Sequence, residues 1–211
     1  LESTLRGSVP AGTRLIETYG WWHDTGFKRL DLHLARMERS ARQLGFGFDA
    51  AAAHQCMKTQ GDAPLRCRLT LGEDGFEFTA TPMAENPASW TVAIADQRLS
   101  SNDIWLQHKT TQRALYDAAR ANSPEGIDEL IFLNERNELC EGTITNLFVT
   151  LKDGQMVTPP IHSGVLPGIL RQTLIESGQA REMIITRDHL QTAHAIHVGN
   201  ALRGLIPAVL A

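Results

Sequence analysis

Leu30, Leu34, Met37, Ala41 and Leu44 recur at helical spacing and Gly45 follows them, so the pattern predicts an α-helix over 30–44 that a glycine ends. Arg36 and Arg39 are expected to leave this helix on its flanks rather than on its apolar face. Alternating residues over 66–78, interrupted by Glu73, Asp74 and Gly75, predict a hairpin, and 90–95 reads as a further strand. These elements form a first, smaller lobe of mixed α and β structure, residues 1–100. A second, larger lobe, 101–211, opens with a helix over 110–121. Strands are expected near 129–133, 146–151 and 155–157. Gly164, Val165, Leu166, Pro167 and Gly168 then make a glycine-bounded turn that feeds a helix over 169–177. Strands near 182–186 and 195–198 close the set, giving an α+β fold with a boundary between 100 and 106. No internal repeat or low-complexity tract interrupts this plan.

The 211 residues are enough to bury a substantial core in one or two domains. A formal net charge of -4 leaves no basic footprint, which argues against nucleic acid and anionic membrane as partners and for a small-molecule substrate. Cys56, Cys67 and Cys140 are odd in number, widely spaced and without a CxxC pair. They indicate neither a disulfide framework nor a zinc site, and a reducing cytoplasm suits them. The eight histidines show no metal-ligand spacing, so no metal site is expected. The first ten residues lack the apolar stretch of a signal peptide, and no run is long and apolar enough to span a membrane.

The run DELIFLNERNELCEGTITNLFV, Asp128 to Val149, sets one carboxylate, Glu141, between two β-like segments and follows it with Thr143 and Thr145. Read alone, this is either a strand ending in a solvated turn or a buried acid in need of a partner, for which a ring nitrogen is one candidate. Three other stretches occur with it in one order: HLARMERSARQLGF from His33, HKTTQRALYDAAR from His108 and TPPIHSGVLPGILR from Thr158. Together they resemble the fold-type IV enzymes that use pyridoxal 5′-phosphate. That family includes branched-chain and D-amino acid aminotransferases and 4-amino-4-deoxychorismate lyase. The resemblance covers about 15–207 and implies two lobes with the cofactor in the cleft between them, in a homodimer. Members of the family usually carry a further strand pair before this point, so one wall of the pocket is expected to be built differently if those strands are missing.

The resemblance implies a role for each matched residue. Lys109, in HKTT, matches the lysine that the family bonds to its cofactor. Such an amine must lose its proton to react, and burial near cations such as His108 and Arg113, at the N-terminal end of a helix, lowers its pKa. Glu141 matches the glutamate that keeps the pyridine nitrogen protonated, so that the ring can accept electrons. Arg36, in H-x-x-R-M, matches the phosphate-binding arginine. Gly168, Ile169 and Leu170 open a helix whose free N–H groups favour an anion, although the family threonine is replaced by Leu170, which leaves a main-chain N–H as its one possible contact. Asn200, in VGNALRG, would contact phosphate as well. Arg113 and Arg203 are the expected substrate-binding residues, Arg203 for a carboxylate.

The Asn200 to Gly204 turn and HKTT-x-R-A-x-Y-D are similar to the lyase branch. Thr18 stands where that branch has a threonine that assists proton transfer, with Lys109 as the other catalytic residue. The expected reaction is conversion of 4-amino-4-deoxychorismate to 4-aminobenzoate and pyruvate, in folate biosynthesis. The alternative is an aminotransferase acting on branched-chain or D-amino acids.

Overall fold

The computed structural model describes residues 9–211, so the readings made on residues 1–8 lie outside the described residues. Contacts along the chain divide it into two units, one taking the described residues to Glu85 together with His108–Gln112, the other Asn86–Gln107 and Arg113–Ala211.

In the first unit, β1 (Leu15–Trp22) and β2 (Gly26–Phe27) lead into α1 (Leu30–Leu44), followed by α2 (Ala50–Cys56), β3 (Leu65–Gly72) and β4 (Gly75–Pro82). The sheet order is β2-β1-β3-β4. Helix α1 occupies the predicted residues and stops at Gly45, whose φ of 83° suits a residue without a Cβ. The predicted hairpin is β3–β4, with Gly72 opposite Gly75 across its turn. Helix α2, absent from the sequence reading, is capped by Asp49, whose carboxylate accepts from the Ala51 and Ala52 amides. Strand alternation sends Leu15, Glu17 and Tyr19 to one face with Cys67, Leu69 and Leu71, and these pack with Leu34, Met37, Ala41 and Ala53 in the buried core.

The second unit begins with β5 (Trp90–Leu99) and α3 (Ala114–Ala121), then β6 (Glu129–Asn134), β7 (Leu139–Gly142), β8 (Asn146–Thr150) and β9 (Met156–Thr158). It ends with α4 (Ile169–Glu176), β10 (Arg181–Glu182), α5 (Arg187–Gln191), β11 (Ala195–Asn200) and β12 (Gly204–Leu210). The sheet order is β10-β9-β8-β11-β12-β5-β6-β7, and β7 also pairs with β8. The strands from β8 through β11, β12, β5, β6 and β7 therefore return to β8 as a closed ring. Val92, Ile131, Leu133, Leu147, Val149, Val198 and Ile206 form one core cluster of this unit. Phe132, Leu130 and Ala119 belong to another that includes α3, and Phe148, Leu170 and Leu174 to a third that includes α4.

Four expectations change. The strand expected near 182–186 is confined to Arg181–Glu182. Strand β5, grouped by sequence with the first lobe, lies in the second sheet, because its backbone pairs in parallel with β6 and β12. Helix α3 starts at Ala114 instead of residue 110, because Thr110 bridges to Leu15 and the extended backbone there is committed to β1. Arg36 is buried instead of flanking, for a reason that lies in β1.

That reason is Glu17, almost fully buried on the face of β1 that meets α1. Arg36 grips it with two nitrogens, Nε donating to Oε1 at 2.8 Å and Nη2 to Oε2 at 2.6 Å, while His33 Nδ1 meets Oε2 at 2.5 Å. Burial alone raises the Glu17 carboxyl, but the Arg36 charge and the hydrogen bonds from His33 and Arg36 outweigh it and bring the pKa to about 2. His33 is pushed below its ordinary value, chiefly by burial, so it serves as a neutral donor. Because the Glu17 pKa is lowered from 4.5 to about 2, its stabilisation is fully present above pH 4.5 and is lost as pH falls towards 2. Glu17→Gln leaves Arg36 buried without its counter-charge and should cost about 3 kcal/mol at neutral pH. In urea melts followed against pH, the variant should also lose much of the wild-type slope in that acid window; an unchanged midpoint and slope would show the pair to be neutral in stability.

Candidate active site

Lys109 is half-buried and lies in an extended segment of the first unit, not at a helix start. Its carbonyl accepts from the Ile16 amide at 2.8 Å, and the Thr111 amide donates to the Arg14 carbonyl at 2.9 Å. These bonds enclose the antiparallel bridge between Leu15 and Thr110, which sets Lys109 opposite Ile16. Residues opposed in an antiparallel pair share a face, and alternate residues of a strand do too. Lys109 therefore falls on the face of β1 that carries Ile16 and Thr18. Across the next strand pairing Thr18 faces Arg68. His108 is turned to the opposite face, where its Nδ1 lies 3.0 Å from Ser40 Oγ of α1. Burial, and then the charge of Arg39, pushes its imidazole below the ordinary histidine pKa. The first unit thus gathers Lys109 and Thr18 on one face of β1, with the Glu17, His33 and Arg36 cluster on the other.

In the second unit Glu141 is buried at the end of β7. Its Oε1 accepts from Tyr116 Oη at 2.7 Å, and its Oε2 from the Leu166 amide at 2.9 Å and Asn146 Nδ2 at 3.2 Å. Burial, reinforced by the Glu141 charge, pushes the Tyr116 phenol far above its ordinary pKa, so it remains a donor. Asn146 also donates to the Leu166 carbonyl at 3.0 Å. Its Oδ1 stands where a Cβ on Gly168 would come, at 1.9 Å, which is why the residue before α4 has no side chain. Gly168 is the N-cap of α4 and offers no capping side chain, so the first-turn amides of Ile169 and Leu170 have no side-chain acceptor from their cap. The Leu170 side chain is buried with Phe148 and Leu174, so the residue that replaces the family threonine serves the core.

Asn200 holds the β11–β12 turn by accepting from the Leu202 and Arg203 amides at 3.1 and 3.0 Å, and it donates to the Ile144 carbonyl at 3.2 Å. Arg113 stands at the N-cap position of α3 without capping it, pairs with Asp117 and donates to the Thr143 carbonyl at 3.0 Å. The turn after Glu141 therefore connects Glu141, Asn200 and Arg113, and through Asn146 it reaches Gly168. Arg203 is turned elsewhere, to Asn86 Oδ1 at 3.0 Å and over the Trp90 ring. Sequence reasoning gave no role to Glu17, Tyr116, Asn146 or Glu129. The visible signal was a lone acid inside an apolar run for Glu17 and an acid at the head of one for Glu129; Asn146 and Tyr116 stood in quoted motifs without a function.

The class IV amino-transferase family matches residues 14–210 of this chain. The chain belongs to that family. A solved structure of a candidate amino-acid aminotransferase from Mesorhizobium loti is 41% identical, with a TM-score of 0.90 over 94% of this chain and 100% of that one. A candidate branched-chain-amino-acid aminotransferase of Thermotoga maritima is 34% identical over 86% of this chain and 67% of its own length. A candidate aminodeoxychorismate lyase of Schizosaccharomyces pombe is 25% identical over 86% of this chain and 83% of its own. The fold is that of the fold-type IV enzymes, and the protein is a pyridoxal-phosphate enzyme, a lyase or an aminotransferase. Each unit carries groups of the kinds that cofactor requires: the first an amine, Lys109, that suits an aldehyde, and the second a buried carboxylate, Glu141, that suits a pyridine nitrogen and first-turn helix amides that suit a phosphate. No helix among the described residues is long and apolar enough to cross a membrane.

Because the Asn146 oxygen fills the space beside Gly168, Gly168→Ala must displace an amide that Glu141 and the Leu166 carbonyl hold. It should destabilise the apoprotein by about 1 to 3 kcal/mol. A melting temperature within 1 °C or so of wild type would mean that the amide can move without cost.

Proposed function

We propose that this protein converts 4-amino-4-deoxychorismate to 4-aminobenzoate and pyruvate, for folate synthesis. The observation that carries the reading is the register that puts Thr18 and Lys109 on one face of β1. On this reading Lys109 would hold the cofactor, with Glu141 at its ring nitrogen and the Ile169 and Leu170 amides as candidate phosphate contacts; Arg36, Asn200 and the Gly168 amide, candidates by resemblance, would first have to leave Glu17, the Ile144 carbonyl and the Leu166 carbonyl. Arg113 is the candidate substrate contact, Arg203 would have to leave Asn86 and Trp90 to serve as a second, and the working enzyme would be a cytoplasmic homodimer. Bound pyridoxal phosphate supplies an electron sink. The Lys109 amine takes the proton from the ring carbon that bears the substrate nitrogen. The ether C–O bond at the neighbouring carbon breaks, Thr18 passes a proton to the departing enolpyruvate, and the ring becomes aromatic.

A second reading has support of its own, since the Mesorhizobium loti and Thermotoga maritima proteins are the more identical and both are named for aminotransferases. An aminotransferase acting on branched-chain or D-amino acids would use the same Lys109 and Glu141 but would need a second keto acid to complete its cycle.

Lys109→Ala should abolish both turnover and the visible absorbance of the lysine-bound cofactor; a variant that keeps both would remove Lys109 from the chemistry. Wild-type enzyme given aminodeoxychorismate without any keto acid should release pyruvate and 4-aminobenzoate continuously and in equal amounts. Thr18→Gly should slow that release roughly 100-fold, the low end of general acid–base contributions, while sparing slow transamination. No pyruvate from the wild type, alongside many turnovers of amino-acid transamination, would replace the lyase reading by the second.

A further inference from the structure

Glu129, at the start of β6, is 1% exposed and takes no part in the proposed chemistry. Its two oxygens nevertheless collect most of the donors of the 142–145 turn. Oε1 accepts from the Thr143 amide at 2.9 Å, the Thr143 hydroxyl at 2.5 Å and the Leu130 amide at 3.1 Å. Oε2 accepts from the Ile144 amide at 3.1 Å and the Thr145 hydroxyl at 2.9 Å. Arg120 supplies counter-charge at 3.7 Å from Oε1 and donates to the Thr143 hydroxyl at 3.1 Å. The packing leaves no room for a side chain at 142, where a Cβ would lie 2.5 Å from Thr145 Oγ1 and 2.7 Å from the Glu129 carboxyl.

The ends of this turn are Glu141 and Asn146, which face each other in the β7–β8 pairing and are joined by a side-chain hydrogen bond. Glu141 has a separate set of donors, namely Tyr116, Asn146 and the Leu166 amide, so the two acids share the turn and not their hydrogen bonds. A strand end followed by four residues can adopt many shapes. Here a buried carboxyl group fixes one by satisfying two main-chain amides and two hydroxyls together.

We propose that Glu129 is a positioning residue for Glu141: by clamping the 142–145 turn from below it holds the Glu141 carboxylate where that acid meets the cofactor ring nitrogen. The inference rests on the assignment of Glu141 given above. Removing the charge from Glu129 leaves one oxygen to serve donors that now occupy two, and the amide nitrogen would face donors. The turn then relaxes and Glu141 moves with it, a displacement that positioned catalysis tolerates poorly.

The test is a double-mutant cycle in the cofactor-loaded enzyme, with Glu129→Gln and Glu141→Gln singly and together. Glu129→Gln is expected to lower kcat about 10- to 100-fold, with KM within about 3-fold of wild type. The pH titration of the bound cofactor's absorbance should shift in the same direction as in Glu141→Gln. The double variant should be no slower than Glu141→Gln alone. Losses that multiply, or a melting temperature that falls while the titration stays put, would make Glu129 a structural acid and overturn the proposal. Wild-type turnover in Glu141→Gln would instead overturn the assignment of Glu141, and the positioning role with it. Should Glu129→Gln fail to fold, Thr145→Val removes one hydrogen bond at nearly constant shape and should shift the titration the same way by a smaller amount; no shift there is again a refutation.

Discussion

Ring closure in the second sheet depends on the pairing of Glu141 with Asn146. Strand β8 gives one edge to β11 and divides the other, with Val149 and Thr150 taken by β9 and Asn146 by β7. Asn146 is thus opposite Gly199 on one side and Glu141 on the other. Its side chain also holds Leu166 and fills the space beside Gly168. One amide consequently fixes a strand end, an acid and the entry to α4. A change at this point cannot stay local, because each partner closes off the freedom of another.

Burying carboxylates is expensive unless each oxygen is met, and the fold meets them in different ways. Glu17 is neutralised by a guanidinium that reaches it across a strand and a helix. Glu138 lies among Arg136, Asn134 and Ser163, and these hydrogen bonds, that of Arg136 first, bring its pKa to about 2. Glu129 is met mainly by a turn. The first two arrangements lock elements together by charge, whereas the third shapes a loop. That difference explains why a cluster such as Glu17 and Arg36 bears on the stability of its unit while Glu129 bears on the placement of a neighbouring side chain.

Elements with one buried face were legible. Helix α1 carries an apolar stripe and a glycine stop, and the β3–β4 hairpin alternates around a turn, so local pattern was sufficient for both. Strand β6 is buried on both faces and shows no alternation, yet it was recognisable as a short apolar run. The start of α3 was misplaced because the backbone at 109–111 bonds to β1, a partner about a hundred residues away that no local window contains. Arg36 was misread for the same reason. A helical wheel records the spacing of a charge along its own helix and has no knowledge of an acid on a strand. Among the candidate residues, Lys109, Glu141 and Arg36 came from motifs. Glu129 was visible only as an acid at the head of an apolar run, and its meaning appears once the turn folds over it.

The two readings of function differ in where a proton goes, not in how the cofactor is held. Both need an amine, an acid opposite the ring and an anion site, and solved structures under both names share this fold. Overall identity averages over those common parts, so 34% against 25% says little about the step that separates a lyase from an aminotransferase. In the lyase reaction a proton must reach the departing enolpyruvate, and a hydroxyl near the amine can pass it. An aminotransferase must return the proton to the cofactor itself, which the amine can do without help. Thr18 shares the Lys109 face and faces Arg68 across the sheet, and a hydroxyl in that position is an addition that transamination does not require. On the lyase reading the discriminating chemistry would fall on the face of β1 that carries Thr18 rather than on the buried turn around Glu141.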